Sequence, residues 1–439
     1  MTSGTNGDAP NPNLTLLGEE KGAHPGGFNA ATGRPEEEGG FPPQYAFPPL
    51  TFDCIQGEDE AKFPRRKCRT VMIGKVAVGG DAPISVQSMT KTDPGDLAAN
   101  VKEVLAMQAA GADLIRVSLP HEWDVQLVQH LKQNGMTVPF IADVHFSYRI
   151  ALQAIEAGVD KLRLNPGNIE KPEYVKHIAR EARDAGIAMR IGINSGSIPK
   201  DLLAKYNGHR IPAMIEGAQR HIAMLEDEGF FNIIVAVKAS DAPTMIRAYR
   251  AMAARCDYPL HLGVTESGTP WAGTIRSTAG MATLLSEGIG DTIRVSLTTT
   301  KPEEEVRVGI EILRALGLRK PGVTIISCPT CGRIEIDVEK IAAEVEARVG
   351  TLDFPLKVSI MGCVVNGPGE AAEADVALFG GKNVGMIYRG GDQVARMNET
   401  EMVDSLVREI TKMKAEWEAA GRPEQGLKDA AALTYSLGQ

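Results

Sequence analysis

From Ile84 onward the chain repeats one unit: a short β-branched, apolar run ending in polar side chains, then a longer stretch with apolar positions at helical spacing. The runs Ile84–Thr90, Asp113–Leu119, Pro139–His145, Lys161–Pro166, Ala188–Asn194, Asn232–Ala239, Pro259–Glu266 and Thr292–Thr298 read as strands. Between them, stretches such as Leu97–Ala110, Arg149–Ala157, Tyr174–Ala185 and Met214–Glu228 read as amphipathic helices. Eight such alternations over about 230 residues predict a closed (β/α)8 TIM-type barrel, since an open doubly wound sheet rarely continues so regularly. No glycine-rich nucleotide loop follows the first strand, which also disfavours the open sheet.

After an eighth helix near Glu303–Leu316, the linker Lys320-Pro321-Gly322 leads to a different pattern. It runs strand Val323–Ser327, cysteine loop, helix Val338–Val349, strand Lys357–Met361 and a second cysteine loop. A Gly380-Gly381 hairpin between two strands follows, then a long helix Glu399–Ala419 with Asn398 as its N-cap. This predicts a smaller α/β module. Ahead of the barrel, Arg69 to Val78 reads as a hairpin-like lead-in. The first 60 residues lack periodic apolar positions, and runs such as Arg34-Pro35-Glu36-Glu37-Glu38-Gly39-Gly40 bury too little to offset the entropy of ordering. The expected organisation is a disordered extension over 1–60, the barrel over 61–318, the module over 319–421 and a tail over 422–439.

The chain has 439 residues, 43% of them hydrophobic, which suits a barrel plus a smaller domain. Its formal net charge of −9 argues against general nucleic-acid binding, so an anionic substrate must meet a local concentration of Arg and Lys. No basic-then-apolar leader and no apolar run of bilayer length stands in the sequence, so a cytoplasmic protein without a membrane partner is expected. Six cysteines in so long a chain are no disulfide framework, and Cys54, Cys68 and Cys256 are scattered as ordinary reduced thiols.

In barrels of this kind, chemistry collects at the C-terminal ends of the strands. Those ends carry Gln87, Ser88 and Thr90; Arg116 and Ser118; Asp143 and His145; Arg163 and Asn165. In the second half they carry Arg190 and Asn194; Lys238 and Ser240; Thr265 and Glu266; Arg294 and Ser296. Several have the form Arg-x-polar, and the strand period of two aims both residues inward. One such arginine is ordinarily paired with a carboxylate, but four arginines and a lysine on five strands point to a strongly negative ligand. With so many donors a diphosphate fits better than a lone carboxylate. Glu266 is a carboxylate at this basic mouth, readable as a counter-ion of Arg294 or Lys238, or as a proton donor beside a leaving oxygen. Asp143 and His145 are alternative acids or act to orient the arginines.

Two cysteine segments carry the other chemistry: Cys328-Pro329-Thr330-Cys331-Gly332-Arg333 and Met361-Gly362-Cys363-Val364-Val365-Asn366-Gly367-Pro368-Gly369-Glu370. A Cys-x-x-Cys loop offers two sulfurs to one centre, and a distant third makes the site depend on folding. Three thiols with no His after Cys328 favour an iron–sulfur cluster over a structural zinc knuckle or chance neighbours. Were Glu370 the fourth ligand, one iron would carry a hard, labile oxygen donor. Geometry adds an expectation. The eighth helix ends at the barrel face away from the arginines, and at 1.5 Å per residue it spans about 20 Å. The short linker does not carry Cys328 back to its own barrel mouth, so the module is expected to cap a second copy in a head-to-tail homodimer.

Taken together, these segments resemble the 4-hydroxy-3-methylbut-2-enyl diphosphate synthase family of the non-mevalonate isoprenoid pathway, from about Arg65 to Val407. The likeness rests on both cysteine segments and on Pro83-Ile84-Ser85-Val86-Gln87-Ser88-Met89-Thr90, Leu162-Arg163-Leu164-Asn165-Pro166-Gly167-Asn168 and Val237-Lys238-Ala239-Ser240. It extends to His261-Leu262-Gly263-Val264-Thr265-Glu266 and Ser286-Glu287-Gly288-Ile289-Gly290-Asp291. The long acidic N-terminus departs from the family's usual pattern. The resemblance implies reductive ring opening of 2-C-methyl-D-erythritol 2,4-cyclodiphosphate, with two electrons supplied by flavodoxin or ferredoxin. It implies a [4Fe–4S] cluster on Cys328, Cys331, Cys363 and Glu370, and an acid/base role for Glu266. It implies diphosphate binding by Arg116, Arg163, Asn165, Arg190, Asn194, Lys238, Thr265, Arg294 and Ser296. Competing readings are a pterin-binding-type barrel transferase with a structural metal site, and an iron–sulfur sensor of isoprenoid precursors.

Overall fold

A computed structural model describes residues 63–145, 147–164, 169, 171–196, 198–320, 322–350, 352–363 and 374–422, together with a short pairing of Phe28–Asn29 with Arg34–Pro35. The chain divides into two compact units, Met1–Ala61 and Lys62–Gln439. The expected disordered extension therefore falls almost wholly outside the described residues, as does the tail from residue 423.

The second unit begins with the barrel. Its strands are β1 Ser85–Met89, β2 Leu114–Ser118, β3 Phe140–Asp143, β4 Lys161–Leu164, β5 Ala188–Asn194, β6 Ile233–Lys238, β7 His261–Leu262 and β8 Thr292–Ile293. They pair in parallel in the order β6-β5-β4-β3-β2-β1-β8-β7, and an isolated parallel bridge, Val235↔Leu260, closes the ring. The expected TIM-type barrel is present. β7 and β8 are much shorter than their patterns predict, because the chain leaves the ladder as soon as it reaches the mouth. A Cβ on Gly263 would lie 2.6 Å from the Arg294 carbonyl oxygen and 2.9 Å from Lys238 Nζ, so only glycine lets these strand ends close together.

The helices α1 Leu97–Ala109, α2 Gln126–Gln133, α3 Tyr148–Glu156 and α4 Pro172–Asp184 follow the first four strands. The second four strands are followed by α5 Arg210–Glu226, α6 Ala242–Ala253, α7 Pro270–Ser286 and α8 Pro302–Ala315. Asp96, Ser147 and Asp241 accept the N–H three residues on, and prolines open α4, α7 and α8. Each side-chain cap contributes about 1 kcal/mol and fixes a loop at the mouth. The opposite end is plugged. The expected lead-in hairpin, Val71–Ile73 with Val76–Val78, buries Val71, Ile73 and Val78 against Leu114, Ile141, Ala188 and Ile234.

The module is a five-stranded sheet with its own hydrophobic core, separate from that of the barrel. Its strands are β9 Val323–Ser327, β10 Leu356–Met361, β11 Val376–Gly381, β12 Val384–Arg389 and β13 Asp392–Met397, in that spatial order. The first three run parallel, and the last two pairings are antiparallel. Helices α9 Val338–Val349 and α10 Met402–Ala419 cover it, with Phe354 against Trp417 at 5.2 Å between ring centres. The expected Gly380-Gly381 turn is corrected: both glycines lie inside β11, and the turn is Lys382-Asn383, with Asn383 at φ 58°. Ile336 occupies the space that a Cβ on Gly380 would take. A second hairpin at Gly390-Gly391 adds β13, which the sequence reading omits. Asn398 precedes a short 3-10 turn, Glu399–Glu401, that leads into α10, and its side chain makes no cap bond.

The linker leaves from the plugged end. Arg319 donates to Asp113 at 2.9 Å, just before β2, and Asp113 in turn accepts the Val86 N–H at 2.8 Å. Among the described residues no helix is long and apolar enough to cross a membrane.

Candidate functional site

The barrel mouth gathers the predicted cations. Arg116 from β2, Arg163 from β4, Arg190 from β5 and Lys238 from β6 are all buried, and Arg294 follows β8 directly. Register explains the convergence: Asp143 pairs with Arg163, Arg163 with Arg190, and Asn194 with Lys238, so these side chains alternate inward at neighbouring levels. Asp143 bridges two of them, accepting from Arg116 Nη2 at 2.9 Å and Arg163 Nη1 at 3.1 Å. Half-exposed His145 adds a contact of 3.2 Å from Nε2 to the same carboxylate. Asp143 and His145 thus sit where they orient arginines.

Burial alone would raise the Asp143 pKa, but Arg116, the His145 hydrogen bond and Arg163 outweigh it and hold the carboxyl far below the usual range. The cations show the converse. Burial, then Arg190, Arg294, Arg116 and Arg163 together push Lys238 well below an ordinary lysine. Burial and Arg116 bring Arg294 down to about 10, against the pull of Glu305 and Asp143. Arg190 Nε and Nη1, and the Nε atoms of Arg116, Arg163 and Arg294, are buried without a hydrogen-bond partner among the described residues. Unspent donors in a charge-rich cavity call for an anion.

Thr265 and Ser296 are half-buried beside this layer, and the Thr265 N–H donates to the Ala239 carbonyl at 3.0 Å. Asn194 ends β5, half-buried, whereas Asn165 lies outside the described residues. Glu266 is exposed at a turn with φ 55°, an uncommon conformation for a non-glycine residue. Its side chain makes no ion pair among the described residues, so the counter-ion reading finds no support there.

Sequence reasoning missed Glu305. Only 1% exposed, it accepts from Ser88 Oγ at 3.0 Å, Lys91 Nζ at 2.9 Å and the Leu297 N–H at 2.9 Å, and it stands 4.0 Å from Arg294. It braces the wall of a mouth cavity of about 410 Å³ that Lys91, Arg294, Ser296 and Leu297 also line. The run Glu303-Glu304-Glu305 reads as solvated charge at a helix start. The usable signal was its helical spacing with buried Pro302, Gly309 and Leu313.

The cysteines stand at the ends of adjacent parallel strands. Ser327 pairs with Ile360, so Cys328 follows β9 at nearly the level where Gly362 and Cys363 follow β10. The Gly362 N–H donates to Cys328 Sγ at 3.4 Å, and Cys328 and Cys363 are half-buried while Cys331 is exposed. Thr330, between the first two thiols, has φ 56°, strained for a β-branched residue by about 1–3 kcal/mol. Glu370 lies outside the described residues, and among the described residues no three His, Cys, Asp or Glu are gathered closely enough to hold a metal ion. The donor set still suits iron–sulfur ligation: reduced thiols on neighbouring loops, with a backbone N–H directed at a sulfur.

Comparison with known proteins covers both halves. The family model described as the GcpE TIM-barrel domain matches residues 68–310, and that of the GcpE protein C-terminal domain matches residues 324–412. A relative from Symbiobacterium thermophilum, named 4-hydroxy-3-methylbut-2-en-1-yl diphosphate synthase (flavodoxin), is 52% identical over 362 residues, 82% of this chain and 97% of that one. A relative of the same name from Geobacter sulfurreducens is 47% identical over 352 residues, 80% of this chain and 99% of that one. A solved dihydropteroate synthase from Xanthomonas albilineans superposes at a TM-score of 0.43 with 14% identity, covering 56% of this chain and 97% of that one. So distant a likeness carries nothing about activity. With matches through barrel and module alike, the chain belongs to the GcpE family of 4-hydroxy-3-methylbut-2-en-1-yl diphosphate synthases.

Proposed function

We propose that this chain reduces 2-C-methyl-D-erythritol 2,4-cyclodiphosphate to 4-hydroxy-3-methylbut-2-enyl diphosphate, an oxidoreductase reaction that opens the ring and releases water. The observation that carries this reading is the excess of buried cations at the barrel mouth, in a chain 52% identical to a named synthase. Arg116, Arg163, Arg190, Lys238 and Arg294, with Asn165, Asn194, Thr265 and Ser296, hold the diphosphate. Fixed guanidinium forks neutralise it and leave the carbon skeleton toward the opening. Glu266, exposed on a turn just past β7, holds the proton that the departing oxygen takes up.

Cys328, Cys331, Cys363 and Glu370 would hold a [4Fe–4S] cluster, which supplies the single-electron transfers that side chains cannot. Reduced flavodoxin is the donor suggested by the relatives' names, with ferredoxin as the alternative. Because Arg319 ties the linker to the plugged end of the barrel, the reading includes a head-to-tail homodimer in which each module serves the other copy's mouth.

The test is anaerobic purification with iron and sulfide analysis, followed by turnover of the cyclic diphosphate with a chemical reductant. Iron and sulfide near four each per chain and product formation support the reading. Zinc in place of iron, or a cluster-loaded protein that binds the substrate without converting it, would overturn it.

A further inference from the structure

Beneath the arginine layer the barrel holds a second polar layer that the ring-opening chemistry leaves unused. Ser85 and Gln87 from β1, Lys161 from β4, His261 from β7 and Thr292 from β8 are each no more than 3% exposed. Lys161 Nζ reaches Gln87 Oε1 at 3.3 Å. Both His261 ring nitrogens, Gln87 Nε2, Ser85 Oγ and Thr292 Oγ1 are buried without a hydrogen-bond partner among the described residues. So many open polar atoms in one enclosed interior make room for bound water and for a proton.

The charges around this layer are nearly all positive. Arg190 on β5 and Arg116 on β2 face Lys161, and Lys238 on β6, Arg190, Lys161 and Arg116 face His261. Arg163 and Arg294 complete the layer above. Against them stand Asp143, already shared by Arg116 and Arg163, and Glu305 beside Arg294. Tyr249 lies close enough to affect Arg190 but is held neutral by burial. Guanidinium groups keep their protons in proteins, so the repulsion is relieved at the lysines and the histidine. Burial first, then Arg190 and Arg116, push Lys161 well below an ordinary lysine, and His261 is lowered by burial, then by Lys238, Arg190, Lys161 and Arg116.

We propose that Lys161, with His261 facing it, is a proton acceptor built under the anion site, and that diphosphate binding draws a proton from solvent into this layer. The bound anion then meets one more positive charge than the empty barrel carries. Lys161 acts through Arg190 and Arg116 and is a positioning residue. The inference rests on the anion reading of the mouth. In a cyclic diphosphate each phosphorus bears one acidic oxygen of diester type, ionised throughout the neutral range. The ligand neither takes up nor releases a proton on binding. By linkage, affinity weakens as pH rises, up to about tenfold per pH unit for each proton taken up.

The experiment is calorimetric titration of the cyclic diphosphate into the full-length, cluster-loaded protein, anaerobically and without reductant, in Pipes, Hepes and Tris near neutral pH. The slope of binding enthalpy against buffer ionisation enthalpy counts the protons. The expected result is uptake of about one proton per barrel by the wild type. In Lys161→Met the uptake falls by at least half and the pH dependence of Kd flattens, while His261→Asn removes a smaller share. A wild-type enthalpy that ignores the buffer overturns the inference, as does full uptake retained in both variants. If Lys161→Met does not fold, the wild-type slope and its pH profile decide alone. Absence of any binding by the wild type overturns the anion reading itself, and this inference with it.

Discussion

The barrel mouth and the cysteine loops both use the ends of parallel strands, to opposite effect. At the mouth the functional groups lie within or directly against the ladder: Arg116, Arg163 and Arg190 are buried, in register, and two of them share Asp143. In the module the thiols lie past the strands, Cys331 is exposed, and the intervening Thr330 holds a left-handed backbone. Backbone register therefore organises the charges before any ligand arrives. In the module, register brings only Cys328 and Cys363 to one level, and Cys331 takes its position from loop backbone instead.

The largest effect expected is in the module. Cys363→Ala loses the cluster, with iron and sulfide falling to background and turnover abolished, whereas Glu370→Ala keeps a less stable cluster. Full iron in Cys363→Ala would break that assignment. Next is Glu266→Gln, which binds the cyclic diphosphate with Kd changed no more than a few-fold but turns over about 10²–10⁴-fold more slowly. A wild-type rate removes the acid from its role.

On the barrel side, Asp143→Asn strips two buried guanidinium groups of their partner and costs about 3 kcal/mol, read as a lower urea midpoint. The sign with pH follows from its depressed folded-state pKa. The stability that Asp143 contributes is complete above its unfolded value of about 4 and is lost only as acid carries pH toward the folded value. The gap between wild type and Asp143→Asn should stay constant from about pH 8 to pH 5 and shrink in stronger acid. The smallest effect is expected at the strained loop. Thr330→Gly relieves its positive φ and raises stability of the apo protein by up to about 1 kcal/mol. A destabilised Thr330→Gly would show that the threonine side chain does more than occupy the turn.

Much of the barrel was legible because its signals are local. β-branched runs mark the strands, and the period of two already aims Arg116, Arg163, Arg190 and Lys238 into one cavity. The eroded ends of β7 and β8 were not legible, since Gly263 abuts Arg294, far along the chain and just past β8. Glu305 was hidden by its acidic neighbours, although the helical spacing of Pro302 and Gly309 carried the clue. Asn383 took the turn assigned to Gly380-Gly381 because tertiary packing of Ile336 claimed the glycine. For the cysteines, residue type and spacing gave the ligand class. Their approach to one another depends on register between β9 and β10, which the sequence does not display.

The central claim is that the basic mouth and the cysteine loops form one site across two copies. The direct measurement uses a doubly tagged hybrid dimer, one copy carrying Glu266→Gln and the other Cys363→Ala, assayed for anaerobic turnover of the cyclic diphosphate. With sites shared between copies, one of the two in the hybrid is intact, and about half of wild-type activity is expected. Activity no greater than that of either parent would place barrel and cysteines of a single chain in each site and contradict the account.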